Sequence, residues 1–264
     1  MEGYPALWEQ MVARWQAAES DAAWLTYSAN YLFHTAGVRW ALDPLSVFSR
    51  LSLPNSLNFA NDLAPLEAVV LTHKHADHLD LDLLSHLVSL PLSWVVPEFM
   101  LEELLPIFKG SAAKIIVPHL GVPIEIRNLV LTPFEGLHFR SNHGVPEMGY
   151  LAEFSGKRWA FPGDTRVFPK QSLSKLGTLD GIFAHLWLGK GCALQETPPL
   201  LEEFCRFFSE PTPLRLVITH MHELARKPDD FWETSHFSQV YAKCQELKPE
   251  VLVTPDWMGM SVEL

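Results

Sequence analysis

Four candidate metal ligands fall within six consecutive positions, His73-Lys74-His75-Ala76-Asp77-His78, and they follow at once on Ala68-Val69-Val70-Leu71-Thr72. That preceding run is short, β-branched and apolar on both parities, the pattern of a strand buried on both faces. In extended chain, residues two apart point to the same side, so His73 and His75 can converge on one cation. Asp77 and His78 then fall at the start of the helix predicted by the leucine spacing over 79–90, and the bend between strand and helix turns them toward a second cation. Imidazole nitrogen and carboxylate oxygen both bind zinc at about 2.0–2.2 Å, so the string serves two adjacent ions only if the backbone bends there.

The composition agrees with a buried scaffold for such a site. The chain has 264 residues, 48% of them hydrophobic and 19% charged, which excludes disorder as the main state. Twenty Lys and Arg stand against 31 Asp and Glu, giving a net charge of −11, so binding to a phosphate backbone through a broad basic surface is not expected. Three cysteines, Cys192, Cys205 and Cys244, form no CxxC pair and point neither to a disulfide framework nor to a thiolate zinc site. The opening Met1-Glu2-Gly3-Tyr4-Pro5 shows no cationic region leading into an apolar one, and no run approaches the ~18 apolar residues of a membrane span. A soluble, cytoplasmic protein is the expectation. Its one compositional oddity is twelve histidines, in keeping with metal binding.

Residues 8–24 predict an amphipathic first helix through Trp8, Met11, Val12 and Trp15, which can cover the fold or form a homodimer contact. The apolar runs over 24–33 and 38–42 predict a hairpin ending at Asp43-Pro44. Strands at 68–72, 94–97, 114–117, 124–126 and 129–132 then alternate with helices over 79–90 and 98–108. A hairpin over 150–161 ends in Pro162-Gly163-Asp164, a strand over 214–219 ends at His220, and helices over 198–208 and 231–247 precede a last strand at 251–253. Two strand-rich layers with interspersed helices imply a four-layer αββα sandwich of the α/β class. The expected organisation is a single domain over 1–264, with 1–23 as an N-terminal helix packed on it.

The His-x-His-x-Asp-His string resembles the signature of the metallo-β-lactamase-fold hydrolase superfamily, matching His73, His75, Asp77 and His78 without a gap. The strand ending at Asp43 is similar to that family's first motif, Phe161-Pro162-Gly163-Asp164-Thr165 to its bridging-aspartate motif, and 216–220 to the strand carrying its last histidine ligand. The resemblance implies the same αββα fold and two divalent ions, zinc foremost, with manganese and iron also suited. One site would hold His73, His75 and a third histidine; the other would hold Asp77, His78 and His220, with Asp164 bridging. His143 is preferred as the third histidine, because 143–150 is similar to the segment in tRNase Z-like and phosphodiesterase-like members. His138 is the alternative, nearer a strand end. His222 competes with His220 as last ligand. Asp43 would support the histidine loop without binding metal.

What the resemblance implies for activity is metal-dependent hydrolysis of a small molecule by a metal-bridging hydroxide, with Asp77 orienting it and His222 as a candidate general acid. His185 and Lys190 are the candidate substrate-binding residues, Lys190 as a point charge for phosphate or carboxylate. An aspartate at 164 departs from the β-lactam-cleaving branches, no basic arm of the tRNase Z kind is present, and the chain after His220 is too short for a glyoxalase II-type helical domain. A small phosphodiester, or a lactone or other ester, remains, the phosphodiester slightly ahead. The alternative is a non-hydrolytic di-iron redox module of the same fold, although such members often replace the histidine at the position of His75.

Overall fold

Successive residues of the central strands face two different apolar clusters, and that alternation sets the layers. In the computed structural model, which describes residues 3–48, 58–139, 142–170, 172–186, 201–221 and 234–264, Leu32, Ala41 and Val69 join one cluster while Phe33, Leu42 and Val70 join another. Ile182 and Leu216 are separated from Phe183 and Val217 in the same way. Strands covered on both faces need apolar residues at both parities.

The first half of the chain supplies α1 (Tyr4–Gln16), β1 (Ala22–Leu25), β2 (Tyr31–Thr35), β3 (Val38–Leu42), β4 (Ala68–Val70), α2 (Leu81–Leu87), β5 (Ser93–Val95), α3 (Leu101–Phe108) and β6 (Lys114–Ile116). The second supplies β7 (Ile124–Ile126), β8 (Leu129–Glu135), β9 (Met148–Phe154), β10 (Lys157–Phe161), β11 (Gly181–His185), α4 (Leu201–Ser209), β12 (Arg215–Thr219), α5 (Thr234–Leu247), β13 (Leu252–Pro255) and β14 (Ser261–Glu263). Among the described residues these strands form two seven-stranded sheets, ordered β14-β1-β2-β3-β4-β5-β6 and β13-β12-β11-β10-β9-β8-β7. β3 to β6 run parallel in the first sheet and β10 to β13 in the second.

Trp8, Met11 and Trp15 of α1, Leu83, Leu84 and Leu87 of α2, and Leu104 of α3 cover the outer face of the first sheet. Phe204, Cys205 and Phe208 of α4, with Val240 and Cys244 of α5, cover the second. Between the sheets lies an aromatic core in which Phe33 stacks on Trp40 at 4.0 Å and meets Phe161 edge-on at 5.2 Å. The architecture is the expected αββα sandwich. Among the described residues no helix is long and apolar enough to cross a membrane.

Several boundaries differ from the sequence reading. The first helix stops at Gln16 and does not reach 24, because 22–25 pair with β2 and 22–24 also with β14. The run over 24–33 is two strands and a turn, which Thr26 closes by donating its N–H to the Asn30 carbonyl at 2.8 Å. Helix α2 starts only at Leu81, where Asp80 Oδ1 accepts the Leu83 N–H at 3.0 Å, so Asp77 and His78 lie in the turn ahead of it. β11 and β14 were not foreseen as strands.

Candidate metal centre

The residues that gather at one edge of the sandwich all follow the carboxyl end of a strand. Asp43 follows β3, His73 to His78 follow β4, His138 follows β8, Asp164 follows β10, His185 ends β11 and His220 follows β12. Inside the 73–80 loop the N–H groups of His78 and Leu79 both donate to the His75 carbonyl at 2.9 Å. This turn swings Asp77 and His78 away from His73 and His75, the bend that two adjacent sites require.

Among the described residues two four-member groups have ligand atoms all within 4.8 Å of one another, His73, His75, His138 and Asp164, and then Asp77, His78, Asp164 and His220, and Asp43 stands with His73 and His78 in a smaller third. Ligands of a tetrahedral ion at ~2.1 Å stand about 3.4 Å apart. In the first group His138 Nε2 is 2.9 Å from His75 Nδ1, and His73 Nε2 is 3.9 Å from Asp164 Oδ2. In the second, His220 Nε2 is 3.4 Å from both His78 Nε2 and Asp77 Oδ2, and Asp164 Oδ1 is 3.5 Å from His78 Nε2. Asp164 thus offers one oxygen to each group.

The opposite ring nitrogens are held by oxygen. His78 Nδ1 donates to Asp43 Oδ2 at 2.8 Å, and Asp43 also accepts from the Thr72 N–H at 2.8 Å. His138 Nδ1 is 2.6 Å from the Asp164 carbonyl, His220 Nδ1 is 3.2 Å from Ser28 Oγ, and His73 Nδ1 is 3.1 Å from Glu147 Oε1. Such partners fix the tautomer so that the lone pair of the other nitrogen faces inward. His73 Nε2 is buried and has no hydrogen-bond partner. An orphaned inward lone pair among imidazoles and carboxylates is what a divalent cation would satisfy, so the donor set fits one.

Charge follows from burial and neighbours. Burial pushes the pKa of His73 well down and that of His138 down to about 4, which keeps both neutral as metal ligands must be. Burial opposes charge on His78 too, but the carboxylates of Asp164 and Asp43 outweigh it and hold its pKa well above the ordinary value. For Asp164 and Asp77, burial is outweighed by the surrounding imidazoles, chiefly His220 and His78, and both carboxyls sit well below the usual range. The chain bends sharply to deliver this set: Asp43 at φ 44° and His220 at φ 64° occupy the left-handed region disfavoured for residues with a side chain. The His220 N–H is anchored to the Ser28 carbonyl at 3.0 Å, and Asn30 Nδ2 ties the carbonyls of Asp43 and Asp77 at 2.7 and 2.9 Å.

The structure brings together His73, His75, Asp77, His78, Asp164 and His220 as expected, but not His143. His143 is exposed, on a turn that folds back at Gly144 against the His138 carbonyl, and His138 takes the third position. His185, expected to touch substrate, is 2% exposed, and its Nδ1 lies 2.8 Å from Asp164 Oδ1, so it holds that carboxylate instead. Lys190 and His222 lie outside the described residues. Glu147 was missed: it is buried, it reaches His73, and its Oε1 accepts the Asp164 N–H at 2.8 Å. A lone glutamate in a loop carries no spacing signal that would have found it.

Residues 42–221 match the model of a family described as the beta-lactamase superfamily domain. In structure the chain is similar to the metallo-beta-lactamase fold protein YhfI from Bacillus subtilis, with 14% identity, 92% of this chain and 98% of that one covered, and a TM-score of 0.69. It is also similar to Igni18, a metallo hydrolase from the archaeon Ignicoccus hospitalis, at 20% identity, 92% and 97% coverage and a TM-score of 0.65. A third likeness is to CmlA, a diiron beta-hydroxylase from Streptomyces venezuelae, at 13% identity and a TM-score of 0.63, covering 94% of this chain and 55% of that one. No curated protein matches the chain in sequence.

Proposed function

The chain belongs to the beta-lactamase superfamily, and from that premise we propose that it is a dinuclear metal-dependent hydrolase acting on a small phosphodiester or a lactone or other ester. The observation that carries the reading is the pair of donor groups sharing Asp164, one oxygen toward each. We read 1–264 as one domain built around this centre.

In this reading His73, His75 and His138 would hold one ion and Asp77, His78 and His220 the other, with Asp164 available to both. When bound, the ions supply Lewis acidity and bring the pKa of water toward neutrality. The chain's own residues do the positioning. Asp77, with a side chain 15% exposed against 3% for Asp164, faces the open side and accepts a hydrogen bond from the attacking water, setting its lone pair toward the substrate. Asp43, Glu147, Ser28 and the Asp164 carbonyl keep four imidazoles in one orientation throughout, so little reorganisation accompanies the reaction. His185 holds the Asp164 carboxylate.

The test is the initial rate of zinc- and manganese-reconstituted protein on chromogenic phosphodiester, phosphomonoester, lactone, thioester and β-lactam substrates, with Asp164→Ala as blank. Turnover of one electrophile class, absent in the variant, is expected. Two bound irons with a visible absorption band and no turnover of any substrate would favour the di-iron redox alternative.

A further inference from the structure

A hairpin turn ordinarily lies at the surface, because a buried one carries backbone groups that are hard to satisfy. The turn joining β1 to β2 is nevertheless buried throughout, at every residue of 26–30. Ser28 and Asn30 send their hydrogen bonds to segments that carry the second donor group. The Ser28 carbonyl accepts the His220 N–H at 3.0 Å, and Ser28 Oγ stands 3.2 Å from His220 Nδ1. Asn30 uses both ends of its amide: Oδ1 accepts the Ser28 N–H at 3.2 Å, while Nδ2 donates to the carbonyls of Asp43 at 2.7 Å and Asp77 at 2.9 Å. Two carbonyls facing one atom and an N–H facing the other fix which way the amide points. The Asp77 carbonyl belongs to the peptide that joins Asp77 to His78, so this bond holds the plane between two of the donors. Asp43, the other carbonyl partner, is in the left-handed region at φ 44° and bears the carboxylate that holds His78 Nδ1. Asp77 is thus held directly, His78 through Asp43, and His220 through Ser28. Among the described residues the Asn30 side chain makes no hydrogen bond to His73, His75 or His138.

We propose that Asn30 is a positioning residue for the Asp77, His78 and His220 group alone, so that cation binding there, and not at the His73, His75 and His138 group, depends on the β1–β2 turn. The inference rests on the two-ion reading and separates the two sites within it. A side chain with two donors and one acceptor is what these three backbone groups require. Leucine in its place fills a similar space but leaves two carbonyls and an N–H buried without that partner, and the three segments are no longer tied together. Asp43 loses one of its restraints at the same time, and strained backbone persists only where its surroundings over-determine it. Donors that arrive from three separate segments then share no common anchor. His73 and His75 keep theirs, since they follow directly on β4.

The experiment titrates metal-free wild type, Asn30→Leu and the milder Asn30→Ser with zinc against a chromophoric chelator, resolving each binding step, with urea unfolding of the same metal-free samples. Leu32→Ala, a truncation on β2 in the apolar cluster that α1 covers, is the control for lost stability. Two steps are expected in wild type. In Asn30→Leu one should stay within about twofold and the other weaken roughly 10–100-fold, with a smaller loss in Asn30→Ser, which keeps one donor. Leu32→Ala should lose stability and keep both steps. Adding Asn30→Leu to His220→Ala should cost no further affinity, whereas adding it to His138→Ala should remove the remaining equivalent. Equal weakening of both steps, wild-type affinity at both, further loss in the His220→Ala background, or the same selective loss in Leu32→Ala would overturn the assignment and leave the two-ion reading standing. A single step in wild type would overturn the two-ion reading and the assignment with it.

Discussion

The carboxylate of Glu147 occupies the space that a Cβ at Gly163 would need, while its Oε1 accepts the N–H of Asp164 at 2.8 Å. Gly163 also sits at φ 77°, a conformation glycine adopts without strain. Gly163→Ala is therefore expected to cost about 3 kcal/mol through overlap and backbone strain together. Urea unfolding of the metal-free protein measures this directly, and an unchanged midpoint would contradict the packing.

Glu147 reaches His73 from inside the protein, where burial pushes its carboxyl pKa well up. Orientation of His73, more than negative charge, is what such a group supplies. Glu147→Gln should then hold zinc within roughly threefold of wild type, while Glu147→Ala should lose roughly 10–100-fold in affinity. Competition against a chromophoric chelator gives both values, and equal losses would show that charge matters instead.

His138 and His143 are five positions apart, but only His138 stands in the donor group. After exhaustive dialysis, His138→Ala should retain about one metal equivalent of two, and His143→Ala both. Elemental analysis decides between them.

Asp256 lies between the sheets, its Oδ2 accepting from the Tyr31 hydroxyl at 2.9 Å and its Oδ1 buried without a partner. Burial raises its pKa to about 7. The folded carboxyl thus stays protonated where the unfolded one has ionised. This contribution to stability is whole below about pH 4 and is lost as pH rises through 7, a decline of about 4 kcal/mol. Asp256→Asn should remove that slope. Urea midpoints at pH 5 to 8, all with chelator present, test it, and parallel curves for the two proteins would refute it.

Much of this was readable locally. The β4 strand and the 73–78 string are contiguous, so one stretch of sequence carried both the buried sheet and half of the donors. Asp164 and His220 were legible because each ends an apolar run. The third histidine was not, because after β8 the chain turns freely and nothing in the spacing of 138 and 143 says which way each ring faces. Glu147 was equally silent, since its role depends on a neighbour, His73, that is distant in sequence. His185 was read as a substrate contact because its strand was not foreseen, and its burial under Asp164 follows from the parallel pairing of β11 with β10 and β12.

The backbone passes from the first sheet to the second once, between β6 and β7, and returns once, between β13 and β14. His75 and His138 are 63 residues apart, His78 and His220 are 142 apart, and each pair spans the two sheets. An ion held by both members is a reversible cross-link closing loops of that length, as a disulfide would, with formation governed by chelation and acidity in place of redox potential. Taking the ions away thus removes the clasp between the halves of the sandwich, and amide exchange should quicken along the strand ends on both sides of the cleft together.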